Sequence, residues 1–185
     1  SWGIRMTGVN LEQGLQVKEP RLGFFHNWNI LQFKNWYLNY HLREDRNGNV
    51  LYFSGGIIYA YGDLRPELKL VAVEHDYQFL PGTRQLKSGR VVCTAADSSK
   101  VEVSVRALTH LYLRPGGYSP YKGYSHGMWM GPSWIDGEKL DVTYSKVIDE
   151  VAGLVDNVCE CRCGDEIGYG IVELAVARKH PRYGV

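Results

Sequence analysis

The sequence predicts an all-β fold, an antiparallel β-barrel or strongly curved sandwich with at most one short helix. Three observations carry that prediction. Segment after segment alternates with the period of two that puts successive side chains on opposite faces of a strand. Short Gly, Pro, Asn and Asp clusters separate these segments at hairpin-like intervals. The composition is rich in strand-forming aromatics and in glycine, with 13 Tyr, 5 Trp and 21 Gly in 185 residues.

The first element is "FFHNWNILQF", residues 24–33. Phe24, His26, Trp28, Ile30 and Gln32 share one face, and Phe25, Asn27, Asn29, Leu31 and Phe33 share the other. Neither face is cleanly apolar, which suggests that the inner one lines a binding cavity. Trp36 to Glu44 is the next strand. Asn47-Gly48 then signals a hairpin turn, and Val50 to Tyr61 returns. Gly55-Gly56 inside that strand points to a bulge, a bend, or close approach by a ligand. Leu68 to Leu80 alternates, with Val71, Val73, His75, Tyr77 and Phe79 expected inward. Gly89 to Ala95 and Lys100 to Leu113 are strands joined at "ADSSK", with Val101, Val103 and Val105 inward. "RPGGYSPYKGYS" reads as a loop, and "HGMWMG" and "KLDVTYSKV" as further strands. Tyr144 to Leu154 is the only stretch with helical character. A last hairpin joins Val158–Cys163 to Ile167–Ala177 through "GDE". Eight or more antiparallel strands in one domain imply a closed barrel or a sandwich, and a barrel of about eight strands can hold one small ligand.

A chain of this length makes one sizeable domain, residues 1–185, with no linker or repeat. The formal net charge of +1 gives no electrostatic case for nucleic acid or an anionic membrane. No apolar run reaches transmembrane length, and no secretory leader is visible. Together with four cysteines this favours a reducing, cytoplasmic setting and free thiols. The chain opens on Ser1 rather than Met, which fits a piece of a longer protein.

Several constellations could carry chemistry. His26 and Trp28 pair a group that titrates near neutrality with an indole face able to stabilise a cation, against the plainer reading of a rim histidine beside a packing Trp. Tyr59, Tyr61 and Asp63 share a face at a strand end; Asp63 either caps a turn or, raised by burial, protonates a substrate. Cys159, Cys161 and Cys163 alternate along one strand, which spaces their sulfurs roughly 7 Å apart, too wide for neighbouring ligands on one metal. They read as buried apolar thiols, and no metal site is expected. Glu173 sits between apolar neighbours and is either functional or an ion-pair partner of Arg5 or Arg162. His126, Trp129 and Trp134 follow the glycine-rich loop as core or as the far wall of a cavity, and His75 is a second candidate interior imidazole. Nucleotide-binding, serine-hydrolase and zinc-protease motifs are missing.

"SWGIR", "FHNW", "YGD" and "GYGIVELAV" resemble the C-terminal half of the carotenoid 1,2-hydratase and AttH-like group. That resemblance implies a lipocalin-like β-barrel lobe of a two-lobed protein, the N-terminal lobe lying outside this sequence. It implies no cofactor, and an apolar, isoprenoid-like small molecule as substrate. The activity implied is a hydratase or cyclase that protonates an alkene and stabilises the carbocation. The family's His-x-Trp and Tyr-x-Asp patterns fall on His26, Trp28, Tyr61 and Asp63. Asp63, relayed by Tyr61, would then deliver the proton, His26 would orient or deprotonate water, and Trp2 and Trp28 would face the cation. Tyr59, His126 and Trp129 complete the expected binding wall. Two other readings stand beside it: a lipid-binding module without catalysis, and a purely structural lobe with a filled interior. Trp2 is expected to dock near Trp28, and Arg5 to pair with Glu173.

Overall fold

The computed structural model describes residues 24–60, 62–113, 128–135, 139–177 and 179–185. Eight antiparallel strands run in chain order: β1 (Phe25–Gln32), β2 (Trp36–Glu44), β3 (Val50–Tyr59), β4 (Leu68–Phe79), β5 (Leu86–Ala95), β6 (Lys100–Tyr112), β7 (Val155–Cys163) and β8 (Glu166–Val176). Each pairs with the next, and β8 pairs back on β1, which closes the barrel. Among the described residues the one helix, α1 (Ser145–Val151), precedes β7. The strands expected in "HGMWMG" and "KLDVTYSKV" do not form: the described residues 128–131 and 139–144 are turns and irregular chain, and α1 begins at Ser145.

The hairpins follow their local chemistry. In the β2–β3 turn, Gly48 takes the left-handed conformation at φ 81°, and the Asp45 carboxylate accepts from the amides of Asn47 and Asn49, each at 2.8 Å. Gly55 is explained by close approach of the neighbouring strand rather than of a ligand, whereas Gly56 meets only the end of a flexible side chain. A Cβ on Gly55 would sit 2.5 Å from Tyr40 Cβ, and one on Gly56 would sit 2.6 Å from a Glu67 carboxylate oxygen.

On β1 the buried inward face is Phe25, Asn27, Asn29 and Leu31, so His26 and Trp28 stand on the outer wall. Two asparagines are tolerated inside because their amides are matched. Tyr40 Oη donates to Asn27 Oδ1 at 2.6 Å, Tyr77 Oη donates to the same atom at 2.8 Å, and Asn29 Nδ2 donates to both hydroxyls at 2.5 and 3.2 Å. A buried polar group left unmatched would cost about 1–3 kcal/mol; matched, each bond contributes about 1 kcal/mol. The Asn27–Tyr77 bond joins β1 to β4, three strands away, so it spans the lumen. Near one mouth, Phe25 of β1 stacks on His75 of β4 at 4.6 Å between ring centres. At these levels side chains fill the barrel.

On β4 a register shift between Leu70 and Ala72 changes the phase. Leu70 is therefore buried while Val71, expected inward, is 53% exposed. Beyond the shift His75 and Tyr77 point in as expected. Val103 and Val105 are likewise buried, as are Cys93, Cys159 and Cys161, all of them free thiols. Burial pushes each of those three thiols up to about 12. The outer wall of β5 to β7 is solvated and carries ion pairs, Arg90–Glu102 at 2.5 Å and Arg106–Glu160 and Arg162–Glu160 at 3.3 Å. Among the described residues no helix is long and apolar enough to cross a membrane.

Candidate functional site

The outer wall of the opposite side has a different character. Strands β2, β1, β8 and β7 lie side by side, and on that wall they bring together His41, His26, Glu173 and Asp156. Register sets their neighbourhood. Trp28 lies opposite His41 on β2 and opposite Glu173 on β8, and Glu173 lies opposite Asp156 on β7. His26, one outward position along β1, reaches diagonally to both flanking strands. Its Nε2 lies 2.6 Å from Glu173 Oε1, and its Nδ1 lies 3.1 Å from His41 Nε2. Glu173 in turn faces the Asp156 carboxyl across the β7–β8 pairing and acts on its protonation. The result is one continuous row, His41–His26–Glu173–Asp156, crossing four strands.

The row is largely shielded from water. His26 is 3% exposed and Glu173 6%, although both stand on the outer wall. Rings cover the histidine end: His41 packs edge-on against His26 at 4.7 Å and against Tyr52 at 5.0 Å, and Trp28 lies 6.3 Å from His41. Trp28 is itself fixed by its indole N–H, which donates to Asn39 Oδ1 at 3.0 Å.

Burial and like charge then separate the protonation states. His41 is pushed down to about 4 by burial and by the neighbouring His26 and Arg43, so its imidazole is neutral at pH 7. Asp156 is pushed up to about 6 by burial, by repulsion from Glu173 and by their shared hydrogen bond. Two adjacent carboxyls sharing a site raise one member in this way. The second oxygen of Asp156, Oδ1, is buried without a hydrogen-bond partner. The row therefore ends in a carboxyl pushed up to about 6, one of whose oxygens is buried and unmatched. A neutral His26 can donate from Nε2 to Glu173 and accept at Nδ1 from His41, so a proton added at one end can be released at the other.

The sequence-derived site residues divide sharply. His26 and Trp28 belong to the row and its ring cover, and Glu173 is the partner of His26 rather than of Arg162, which pairs with Glu160. Asp63 lies elsewhere. Tyr59 pairs with Trp36 on β2 whereas His26 pairs with Arg43, seven positions further along that strand, roughly 23 Å at the rise of a strand. In its turn Asp63 accepts from the Arg65 backbone amide at 3.0 Å and from the guanidinium at 2.7 Å. Those bonds hold its carboxyl below the ordinary range, the reverse of a buried proton donor. Tyr59 lies under the Arg65 guanidinium at 3.9 Å, at the same barrel end as Asp63. Trp129 is 77% exposed. Trp2, Arg5, Tyr61 and His126 lie outside the described residues.

Sequence reasoning missed Asp156 and His41. The signal was there in "VDNVCECRC", where Asp156 shares the alternating phase of Glu160, and in the two-residue spacing of His41 from Asn39 and Arg43. What a single strand does not show is which neighbours stand beside it. Among the described residues no group of three or more His, Cys, Asp or Glu side chains is arranged to hold a metal ion.

A family model described as a family of unknown function (DUF8625) matches residues 1–185, so the chain belongs to that family. No curated protein and no solved structure matches it.

Proposed function

We propose that the chain is a cofactor-independent acid–base catalyst of the hydratase or isomerase type, acting on an apolar alkene laid against the outer wall of β7, β8 and β1. The observation that supports this reading is the row of His41, His26 and Glu173 ending in the raised Asp156 carboxyl, which keeps one oxygen unmatched. Asp156 takes the role that the sequence suggested for Asp63. Its carboxyl gives a proton to one alkene carbon, leaving a cation on the other. Trp28 stands two strands away, roughly 10 Å at the spacing of neighbouring strands, and its ring face stabilises positive charge by about 1–2 kcal/mol. Water adds to the cation and loses a proton to Glu173, which returns it to Asp156; alkene and water are consumed and an alcohol is formed. His26, itself held by His41, fixes the position of the Glu173 carboxyl. A site on the outer wall is the arrangement in which a further lobe supplies the opposite face, as the two-lobed resemblance implies.

The test is incubation of the protein with a panel of isoprenoid alkenes in D2O, reading deuterium on carbon by mass spectrometry. Wild-type protein is expected to incorporate label, and D156N and E173Q to lose at least about 99% of the rate, in line with removal of a general acid or base. Equal incorporation in wild type and both variants would remove the assignment. A second reading, a structural lobe, draws on the side chains that fill the lumen; it predicts no incorporation by any form while E173Q loses stability.

A further inference from the structure

A second buried constellation lies inside the barrel, at the mouth where β1 begins and β2 and β4 end. Glu44 of β2 fixes His75 of β4, with His75 Nε2 at 3.2 and 3.1 Å from the two carboxylate oxygens. The other nitrogen, Nδ1, is taken by the hydroxyl of Tyr183 at 2.6 Å. Tyr183 comes from the segment after β8, not from the barrel wall. That segment is turned on itself: the His180 amide donates to the Val185 carbonyl at 3.0 Å and the Gly184 amide to the His180 carbonyl at 2.8 Å. Its tyrosyl ring enters an aromatic cage, 5.7 Å from Phe25, 5.3 Å from Phe79, 5.0 Å from His180 and 6.1 Å from His75 between ring centres.

A plug made only for packing would be apolar and would sit on apolar walls. Here the ring's hydroxyl meets an imidazole held by a carboxylate, and both of those ionisable groups are buried. Burying them is costly unless their hydrogen bonds are matched. The cage thus recognises both parts of a phenol: a flat apolar ring between aromatic faces, and one hydroxyl donated to His75. We propose that this mouth is a binding site for an aryl alcohol, and that Tyr183 is its displaceable internal occupant. The site is separate from the outer-wall row and does not rest on the function proposed above.

The probe is p-cresol, which is the tyrosine side chain itself, with toluene as the control that lacks the hydroxyl. Full-length Y183A is expected to bind p-cresol, read by NMR shifts of the His75 ring, at least tenfold more tightly than toluene, because toluene leaves the His75–Glu44 pair unmatched. Wild type is expected to bind p-cresol more weakly than Y183A by the fraction of time the cage is free. Equal affinity of Y183A for p-cresol and toluene would overturn the proposal, since the gap would then be a plain hydrophobic hole. No p-cresol binding by a Y183A that keeps the wild-type circular dichroism spectrum would also overturn it. If Y183A fails to fold, Y183F keeps the cage filled without the hydroxyl. It should then release its ring to p-cresol at least tenfold more readily than wild type, and equal affinity for the two proteins would refute the displaceable occupant.

Discussion

Replacing Asp156 by asparagine removes the raised carboxyl while keeping a side chain of the same shape, so its effect depends on pH in a calculable way. In the folded protein the group titrates at about 6, whereas an unperturbed aspartate does so near 3.8. Below about pH 4 the carboxyl is neutral folded and unfolded, and above about pH 6 it is charged in both. Between the two the folded protein binds the extra proton, so wild-type stability falls as pH rises through this window. A shift of two units corresponds to about 3 kcal/mol before screening, and water reaching the half-buried carboxyl reduces this to about 1–2 kcal/mol. His41 has the opposite sign. Pushed from 6.5 down to about 4, it gives a stability that is present at neutral pH and is lost as pH falls through that window. The two slopes oppose each other in wild type, so the informative quantity is the difference between D156N and wild type, in which the His41 contribution cancels. Thermal melts followed by circular dichroism at pH 4, 5, 6 and 7 should show the Tm of D156N rising relative to wild type by about 2–8 °C from pH 4 to pH 7, at about 2–4 °C per kcal/mol for a chain of this size. A pH-independent difference, or one that widens toward acid, would refute the reasoning.

Other expectations follow from the same packing. H41N should remove the opposing slope, leaving a protein whose Tm declines as pH rises from 4 to 6.5; a melt profile identical to wild type would show that His41 is not held neutral by the fold. Y77F leaves Asn27 with one donor fewer inside the lumen and should cost about 1–3 kcal/mol in denaturant unfolding; an unchanged midpoint would mean that the network contributes nothing to stability. G89A should be destabilising by at least about 1 kcal/mol, because the Tyr77 ring lies where the new methyl would go. Cys93, Cys159 and Cys161, buried and raised to about 12, should resist a maleimide until denaturant is added, while the less buried Cys163 reacts first. Rapid native labelling of more than one thiol would contradict the packing of β7.

The strands were legible because alternation and turn chemistry are local. Val50, Lys100 and Trp36 open strands where the sequence places them, and Asn47-Gly48 turns as its type requires. Facing was less legible. "FFHNWNILQF" mixes polar and apolar groups on both faces, and its phase is decided by Tyr40 and Tyr77 from other strands, which match Asn27 and Asn29 inside. The bulge between Leu70 and Ala72 shifts β4 by one residue without any local cue. The site was half legible for the same reason. His26, Trp28 and Glu173 were found from side-chain chemistry, but a row that crosses β2, β1, β8 and β7 exists only once residues 41, 26, 173 and 156 are brought together by closure of the barrel. Asp63 resembled a proton donor in sequence, and the guanidinium two residues on makes it an ordinary turn aspartate.

The proposed outer-wall chemistry requires that the Asp156 carboxyl be held up by burial and by its neighbour Glu173. A carboxyl-carbon NMR titration of the full chain labelled at Asp, in wild type and in E173Q, tests this directly. Asp156 is predicted to titrate at about pH 6 in wild type and to move down toward the ordinary aspartate range in E173Q. An Asp156 that titrates near 4 in wild type, or one that E173Q leaves unmoved, would contradict the coupling on the outer wall.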